Sequence, residues 1–395
     1  MASRINATLL NSIVTFLGFI DTYLLIPIIA LYATGLGAGV EIVGIIVGVY
    51  SITSTLTNIF GGRLIDRFGH KKPLVIGLFG DTLAMFLYTL CQLPWHLFFV
   101  RAFHGISGGL VGPATMSVSA KHATQSKKGK AMSIYGMALG TATLIGFLMS
   151  GIITSRLGFN ALFYTGGILL VIGVILAFFI PSGKIHDTAK ITNKNHTYKD
   201  MLKMVVRGQL PVCYLSILGQ YFAFGGVVVL LPLRVTSLGM SAFHVGILLA
   251  IFSLTFIIVQ SFSGTLTDNM GRLKPIAIGL GLGIIALPLL SVSSSFLFLA
   301  LTMALYGIAF GILFPSVSAL LADSVTPEEY GRATGIFHAL ITIGVAIGAP
   351  IIGGIAAYTG VGTGIIFCII ILVPALILTL YNLRQKGSNR IASKR

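Results

Sequence analysis

The chain has 395 residues, of which 55% are apolar and 9% are charged, and its formal net charge is +16. Soluble domains carry about 25% charged residues, so this composition excludes an ordinary water-soluble protein. A basic excess alone also fits a nucleic-acid partner, and the distribution of the charges along the chain has to decide between the two.

Apolar stretches long enough to cross a bilayer core of about 30 Å recur from end to end. We predict twelve membrane-spanning helices, and hence an all-α integral membrane protein. Their expected limits are 8–33, 42–62, 73–93, 95–119, 131–154, 159–181, 211–236, 243–266, 273–291, 295–322, 332–356 and 361–383. The first stretch is interpreted as a retained helix and not as a signal peptide, because it contains Asp21 and lacks an A-x-A cleavage site.

All but three of the 26 Lys and Arg residues fall on one side of this twelve-span arrangement. The exceptions are Arg156 and Arg234 on the other side and Arg101 within a span. Cytoplasmic loops are enriched in Lys and Arg, so we expect a plasma-membrane protein with both termini in the cytoplasm. The basic charge therefore indicates membrane topology and no nucleic-acid partner. The expected partners are the lipid bilayer and a small-molecule substrate, with the monomer as the functional unit.

The sequence repeats itself at a shift of 202 residues. The matched pairs include Gly37 with Gly239, Gly105 with Gly307, Gly109 with Gly311, and Pro113 with Pro315. An even number of spans separates the matched positions, so the halves have the same orientation, as in parallel repeats with the substrate path between them. We expect an N-terminal six-helix bundle at 1–181, a cytoplasmic linker at 182–208, and a C-terminal six-helix bundle with a short basic tail at 209–395. Whether the basic stretch Lys199–Lys203 lies on the membrane surface or is solvated stays open.

The loop between spans two and three carries a motif that recurs, in diluted form, between spans eight and nine. Its residues are Gly62, Asp66, Arg67, Gly69 and Lys71, and those of the copy are Gly264, Asp268, Gly271 and Arg272. Gly62 permits close helix approach, Asp66 suits the positive N-terminus of another helix, and Gly69 permits a tight turn. A merely basic loop would explain the charge but not the spaced glycines and the repeated aspartate.

This motif resembles the signature loop of the major facilitator superfamily, G-x-x-x-D-R-x-G-R-K, with His70 where that family usually has Arg. The resemblance covers the whole chain. It implies the major facilitator fold and alternating access, with the loop motifs bridging the two halves on the cytoplasmic side. It further implies that Asp66 faces Arg332 and that Asp268 faces Lys130.

Ionisable residues at bilayer depth are costly and are therefore functional candidates. Asp21 lies in span one between apolar segments, where burial disfavours its charge and suits it to load and release a proton. Permanent pairing with a cation is the alternative. Arg101 and His104 lie on one face of span four, in a pattern that resembles the family's R-x-x-Q-G with His in place of Gln. Together with Asp21 they are the predicted proton-coupling residues, although His104 can equally be a hydrogen-bonded packing residue.

Three further ionisable residues carry less weight as candidates. Asp81 follows Gly80, which is only seven residues into the predicted span, and is expected near the cytoplasmic headgroups, while Arg234 can reach the outer interface. His338 lies in span eleven. In the superfamily, spans one, four, seven and ten line the cavity with help from their neighbours. The residues placed there are Asn58, Tyr135, Gln220, Tyr221, Phe224, Phe256, Gln260, Tyr306, Phe310 and His338, although core packing explains the aromatic residues equally well.

Asp21 and Pro27 followed by Leu36-Gly37 resemble the twelve-span drug:proton antiporters of this superfamily. Their span-five glycine motif is degenerate here, with only Gly146 and Gly151 retained. The first hypothesis is therefore proton-coupled export of small amphipathic or drug-like molecules. The second is a proton symporter or facilitator for a sugar, organic acid or other small metabolite. No nucleotide loop, metal cluster or large soluble domain is apparent, so we expect neither an enzyme nor a resident cofactor or metal, with the proton as coupling ion.

Overall fold

The computed structural model describes Ala2–His122, Lys128–Pro181 and Met204–Ala392. Within these ranges the side chains of 2–8, 63, 66, 120–122, 128–133, 327–328, 331 and 386–392 are not described. The regular secondary structure of the described residues is helical throughout, which confirms the predicted all-α class. The helices are α1 (Ala2–Leu25), α2 (Ile29–Gly35), α3 (Val40–Phe68), α4 (Lys71–Tyr88), α5 (Pro94–His122), α6 (Lys128–Phe178), α7 (Leu210–Ser237), α8 (Ala242–Met270), α9 (Leu273–Val292), α10 (Phe296–Asp323), α11 (Pro327–Thr359), α12 (Val361–Phe367) and α13 (Leu372–Ala392).

Each of the twelve predicted spans corresponds to a helical segment. Among the described residues, eight helical segments are long and apolar enough to cross a membrane, or nine if α1 and α2, which are bent by 45° at their break, form one span. Helix α6 contains two predicted spans. They are separated at Gly158, whose φ is 83°. Helices α4 and α5 complete the twelve predicted spans. They are less apolar than the others, because they contain charged and polar residues such as Lys71, Asp81 and Arg101.

Backbone geometry confirms the internal repeat. Glycines with a positive φ occur at positions 37 and 239, 69 and 271, and 158 and 360, and each pair is separated by the predicted 202 residues. Such a φ strongly favours glycine over residues that carry a Cβ atom. The loops that reverse the chain are therefore built alike in both halves.

Helix packing repeats with the same shift. A Cβ atom on Gly105 would lie 2.0 Å from Thr53 Oγ1, and one on Gly307 would lie 2.0 Å from Thr255 Oγ1. Span four thus packs on span two as span ten packs on span eight, with glycine permitting close contact of the backbones. The two sets of contacts are related by the 202-residue shift, as expected for structural repeats.

The chain forms two compact units. The first comprises Met1–Lys190 with Leu231–Ala250, and the second comprises Ile191–Leu230 with Ile251–Arg395. In the first, α1 packs on α6, and both α3 and α4 pack on α5; in the second, α9 packs on α10 and α13. Leu231–Ala250 joins the first unit through glycines, since a Cβ atom on Gly246 would lie 2.6 Å from Phe147 O.

Candidate coupling and binding sites

Asp21 lies on α1, four residues before that helix ends, and its side chain is fully buried in the first unit. Gly18, one turn earlier, lets α1 approach α4 and α5, because a Cβ atom there would lie 2.9 Å from side-chain atoms of both Leu78 and Val111. Ile20 and Leu24 are buried beside the carboxylate. The small residue and its apolar neighbours therefore place a carboxylate inside a helical bundle.

Three ionisable side chains from three helices meet at this point. His104 Nε2 on α5 lies 2.8 Å from Asp21 Oδ2 and 3.7 Å from Asp81 Oδ1 on α4. One polar atom of each residue lies within 4.8 Å of those of the other two, and none of the three residues is more than 1% exposed. We refer to Asp21, Asp81 and His104 as the acid–histidine cluster. Its geometry suits the binding of a proton or another small cation.

Hydroxyl groups supply further hydrogen bonds to the cluster. The Tyr88 hydroxyl lies 3.0 Å from His104 Nδ1, and the Ser107 hydroxyl donates to Asp81 Oδ1 at 2.5 Å. Oδ1 of Asp21 and Oδ2 of Asp81 have no hydrogen-bond partner among the described residues. Because a buried, incompletely paired charge is costly, the arrangement disfavours simultaneous ionisation of both carboxyl groups.

Arg101 lies next to the cluster but not in direct contact with its carboxylates. It is 4% exposed, and its guanidinium carbon lies 4.4 Å from the centroid of the Tyr50 ring, a cation–π arrangement. The Tyr50 ring in turn lies 5.2 Å from the His104 ring. Among the described residues, Arg101 forms no ion pair with a carboxylate. The Tyr50 ring therefore lies beside both the Arg101 guanidinium and the His104 imidazole.

The second unit has no such charges at the corresponding positions. The residues that match Asp21, Asp81 and His104 at the 202-residue shift are Ala223, Gly283 and Tyr306. Gly283 and Tyr306 instead line a small cavity together with Gln220, Gly279, Ala309, Phe310, Leu313 and Leu372. Both polar atoms of the Gln220 amide and the Tyr306 hydroxyl are buried without a hydrogen-bond partner in the described structure. Neutral hydrogen-bonding groups are therefore buried in the residues around this cavity.

Aromatic rings form a cluster beside this cavity. Phe310 is its centre, with ring centroids 5.6 Å from Tyr221, 5.7 Å from Phe224, 5.2 Å from Phe252 and 5.3 Å from Tyr306. Phe256 lies at the edge, 6.1 Å from Phe310. We refer to Tyr221, Phe224, Phe252, Phe256, Tyr306 and Phe310 as the aromatic cluster. All but Phe252 were predicted from the sequence as substrate-binding residues.

The remaining predicted substrate-binding residues are not members of this cluster. Asn58 and Tyr135 belong to the first unit and are partly buried, as is Gln260 in the second. His338 on α11 is exposed, and its ring lies 5.7 Å from Phe337. Within the second unit, the structure brings together six of the ten predicted residues, namely Gln220, Tyr221, Phe224, Phe256, Tyr306 and Phe310.

Sequence comparison establishes the family. The profile of the Major Facilitator Superfamily matches residues 12–241 and 213–395, which together cover nearly the whole chain. The chain belongs to the major facilitator superfamily. Members of this family are transporters and not enzymes, so the protein is a multi-pass membrane transporter with a small-molecule substrate.

Individual relatives are similar over most of their length. The chain is 24% identical to multidrug resistance protein 2 of Bacillus subtilis, over 92% of each protein. It is 26% identical to a multi-drug resistance efflux pump PmrA homolog of Lactococcus lactis, over 92% of this chain and 91% of the relative. The crystal structure of the nucleoside transporter NupG matches with a TM-score of 0.80 and 16% identity, covering 95% of this chain and 99% of that one. The structural match supports the major facilitator fold.

The signature loops of this superfamily member agree in part with the sequence prediction. Gly69 and Gly271 end their helices with φ of 75° and 74°, which confirms the tight turn predicted at Gly69. A Cβ atom on Gly62, or on Gly264, would meet no described atom within 4 Å, and the close helix approach expected at Gly62 stays a prediction. Lys71 Nζ donates to Phe178 O at 2.5 Å, where it binds a helix C-terminus.

The charged residues of the loops have partners within their own unit. Arg67 is exposed, with its guanidinium carbon 5.1 Å from the Phe68 ring. Arg272 donates to Asp323 Oδ2 at 2.8 Å and also contacts Asp268. The side chains of Asp66 and Lys130 lie outside the described residues. The pairing of Asp66 with Arg332, and of Asp268 with Lys130, therefore stays a prediction.

Asp81 is the functional candidate that the sequence placed wrongly. It was expected near the cytoplasmic headgroups, but it is 1% exposed and lies beside His104. Helix α4 begins at Lys71, two residues before the predicted span, and ends at Tyr88, so Asp81 is past its midpoint. An aspartate between apolar residues was the available signal. The contributions of Tyr50, Tyr88 and Ser107 could not be seen, because they depend on which faces of three helices meet.

Proposed function

We propose that the protein is a proton-coupled exporter of small amphipathic molecules that works by alternating access. The acid–histidine cluster carries this proposal, because it places two carboxyl groups and an imidazole in a fully buried site of the first unit. A buried carboxyl group that gains access to water on alternate sides of the membrane can bind a proton on one side and release it on the other. Asp21 and His104 exchange the proton, and Arg101 provides positive charge nearby.

The second unit and the relatives support the proposed substrate class. The aromatic cluster offers ring surface for apolar and cationic molecules. Two relatives that align over nine-tenths of their length are named as multidrug resistance or efflux proteins. Both observations favour amphipathic compounds as cargo. The excess of Lys and Arg in predicted cytoplasmic loops supports a plasma-membrane location with both termini inside, and we propose the monomer as the functional unit.

The test is transport by purified protein in proteoliposomes with an imposed pH gradient. We expect a pH-gradient-driven flux of a fluorescent amphipathic cation in the wild type and loss of that flux in Asp21→Asn. Glu41→Gln is the matched control, because Glu41 is an exposed carboxylate at the start of α3, and its flux should equal that of the wild type. Unchanged coupled flux in Asp21→Asn would contradict the proposal.

A proton symporter or facilitator for a small polar metabolite is the second candidate. The buried, unpartnered Gln220 amide and Tyr306 hydroxyl favour it, since hydroxyl or carbonyl groups of a metabolite would satisfy them. The two functions move protons in opposite directions relative to the substrate. Alkalinisation of the outside medium on adding substrate to cells would support symport, whereas acidification of the vesicle exterior during substrate uptake into acid-loaded inverted vesicles would support antiport.

A further inference from the structure

We infer that Asp81 is a further coupling residue, and that Asp21, His104 and Asp81 share one exchangeable proton. The inference deepens the proposed function and rests on it for the link to transport. It concerns a residue on α4, outside the first and fourth spans that supplied the predicted coupling residues. Three steps carry it: the hydrogen-bond geometry, the charge of the buried site, and the contrast with the second unit.

The geometry makes one nitrogen atom common to both carboxyl groups. His104 Nδ1 lies 3.0 Å from the Tyr88 hydroxyl, and in the tautomer with the proton on Nδ1 it donates to the Tyr88 oxygen. Nε2 then faces Asp21 at 2.8 Å and Asp81 at 3.7 Å. A proton moves between the acids in two balanced steps, and the step at Asp81 requires its carboxyl group to move from 3.7 Å into hydrogen-bond distance of Nε2. The O–H bond of one carboxyl breaks as the Nε2–H bond of an imidazolium forms, and this bond breaks as an O–H bond forms on the other carboxyl.

The charges around the site define how many protons it holds. The titratable and charged side chains that face the cluster are Tyr50 from α3, Tyr88 from α4 and Arg101 from α5, while α6 contributes Phe163, whose ring lies 5.3 Å from Tyr88. With both carboxyl groups ionised, His104 neutral and Arg101 positive, the buried group has a net charge of minus one. One proton neutralises it, wherever among the three residues that proton resides. Burial strongly favours this neutral state.

The second unit shows that the fold does not need these charges. Gly279 on α9 packs against α10 in the second unit, just as its matched residue Gly77 on α4 packs against α5 in the first. The residues of the second unit at the cluster positions are nevertheless Ala223, Gly283 and Tyr306. Helix packing is thus maintained without carboxylates, and two buried acids around one imidazole in the first unit require a different explanation. A shared, exchangeable proton supplies it.

The first experiment measures protonation of the carboxyl groups without measuring transport. Difference infrared spectra of purified wild-type protein across pH should show one titrating carboxylic-acid band. In Asp21→Asn and in Asp81→Asn alike, the remaining carboxylate is balanced by Arg101, so we expect the band to be lost from the pH range of the wild type. Two independent sites would leave a titrating band in each single variant, and that result would overturn the inference.

The second experiment measures the coupling of substrate flux to the pH gradient. Asp81→Asn should lose pH-gradient-driven flux but keep downhill substrate exchange, and Asp81→Glu should restore the coupling. Ser107→Ala is a second variant, for the case that Asp81→Asn fails to fold. It removes the hydrogen bond to Asp81 but keeps the Asp81 carboxyl group. The midpoint of its pH profile should move to higher pH, since the ionised form loses a donor. Thr82→Ala is the control, because the Thr82 hydroxyl bonds only the Leu78 carbonyl among the described contacts and its profile should match the wild type.

The outcomes separate the two proposals. Absence of pH-driven flux in the wild type, together with a shared infrared band, would refute proton-coupled export and leave the shared proton standing. Normal coupling in Asp81→Asn, or an unmoved profile in Ser107→Ala, would refute the role of Asp81 alone. Flux driven by a sodium gradient at constant pH would assign the cluster to a metal cation and contradict a shared proton.

Discussion

Tyr88 and Tyr306 are buried tyrosines whose hydroxyl groups differ in their contacts. Tyr88 hydrogen-bonds His104, whereas the Tyr306 hydroxyl has no partner in the described structure. Removing one member of a buried hydrogen bond costs about 1–3 kcal/mol, while removing an unpaired buried group is near neutral or stabilising. We therefore expect Tyr88→Phe to lower the midpoint of thermal unfolding in detergent and Tyr306→Phe to leave it unchanged or raise it. Equal losses in both variants would contradict this assignment.

Residues in the membrane were only partly predictable from sequence. Asp21, Arg101 and His104 were recognised because each is a rare polar residue among apolar neighbours, and the structure brings them close together. Asp81 was given too little weight, because the predicted start of its span was two residues late and the sequence does not show which faces of α1, α4 and α5 meet. Ser107 and Tyr88 resemble any other packed side chain until three helices are placed around them.

At the scale of helices, Gly105 and Gly307 provide a matched pair. A Cβ atom on Gly105 would lie 2.0 Å from a threonine oxygen and 2.5 Å from the Tyr50 carbonyl oxygen. A Cβ atom on Gly307 would likewise lie 2.0 Å from a threonine oxygen and 2.4 Å from the Phe252 carbonyl oxygen. Overpacking of this kind costs about 1–3 kcal/mol. Gly105→Ala and Gly307→Ala should therefore each lower the thermal unfolding midpoint.

Gly281→Ala is the control for these variants. It lies within α9 and has no described atom within 4 Å of its would-be Cβ atom, and alanine has the higher helix propensity by about 1 kcal/mol. We expect it to be neutral or stabilising. A destabilisation in Gly281→Ala as large as in Gly105→Ala would indicate that loss of glycine flexibility, and not steric contact, is responsible.

Helix positions were predicted well because long apolar segments dominate their energetics, whereas interruptions within spans were not. The first span breaks between Leu25 and Ile29, around Pro27, which has no amide hydrogen to donate. The last span contains a 3-10 turn at Cys368–Ile370. Neither break changes the hydrophobic profile, so a search for apolar stretches passes over both. Gly158 was predicted as a boundary because polar residues surround it.

At the scale of the whole molecule, the 202-residue repeat and the charge distribution make one joint prediction about orientation. Parallel repeats require that residues matched by the shift lie on the same side of the membrane. Leu157 and Thr359 are such a pair, both exposed in loops predicted to lie outside, and Lys72 and Lys274 are an exposed pair predicted to lie inside. The three native cysteines, Cys91, Cys213 and Cys368, are buried and should give little background with a thiol reagent.

Single cysteines at these four positions test that prediction. A membrane-impermeant maleimide applied to intact cells should label Leu157→Cys and Thr359→Cys, because the positive-inside pattern places both loops outside. Lys72→Cys and Lys274→Cys should react only after the cells are opened. Reversal of all four results would invert the topology but keep the repeats parallel. Labelling of one member of a pair without the other would contradict parallel repeats. Helices matched by the 202-residue shift would then no longer be equivalent, and the neutral residues of the second unit could not be compared with the acid–histidine cluster.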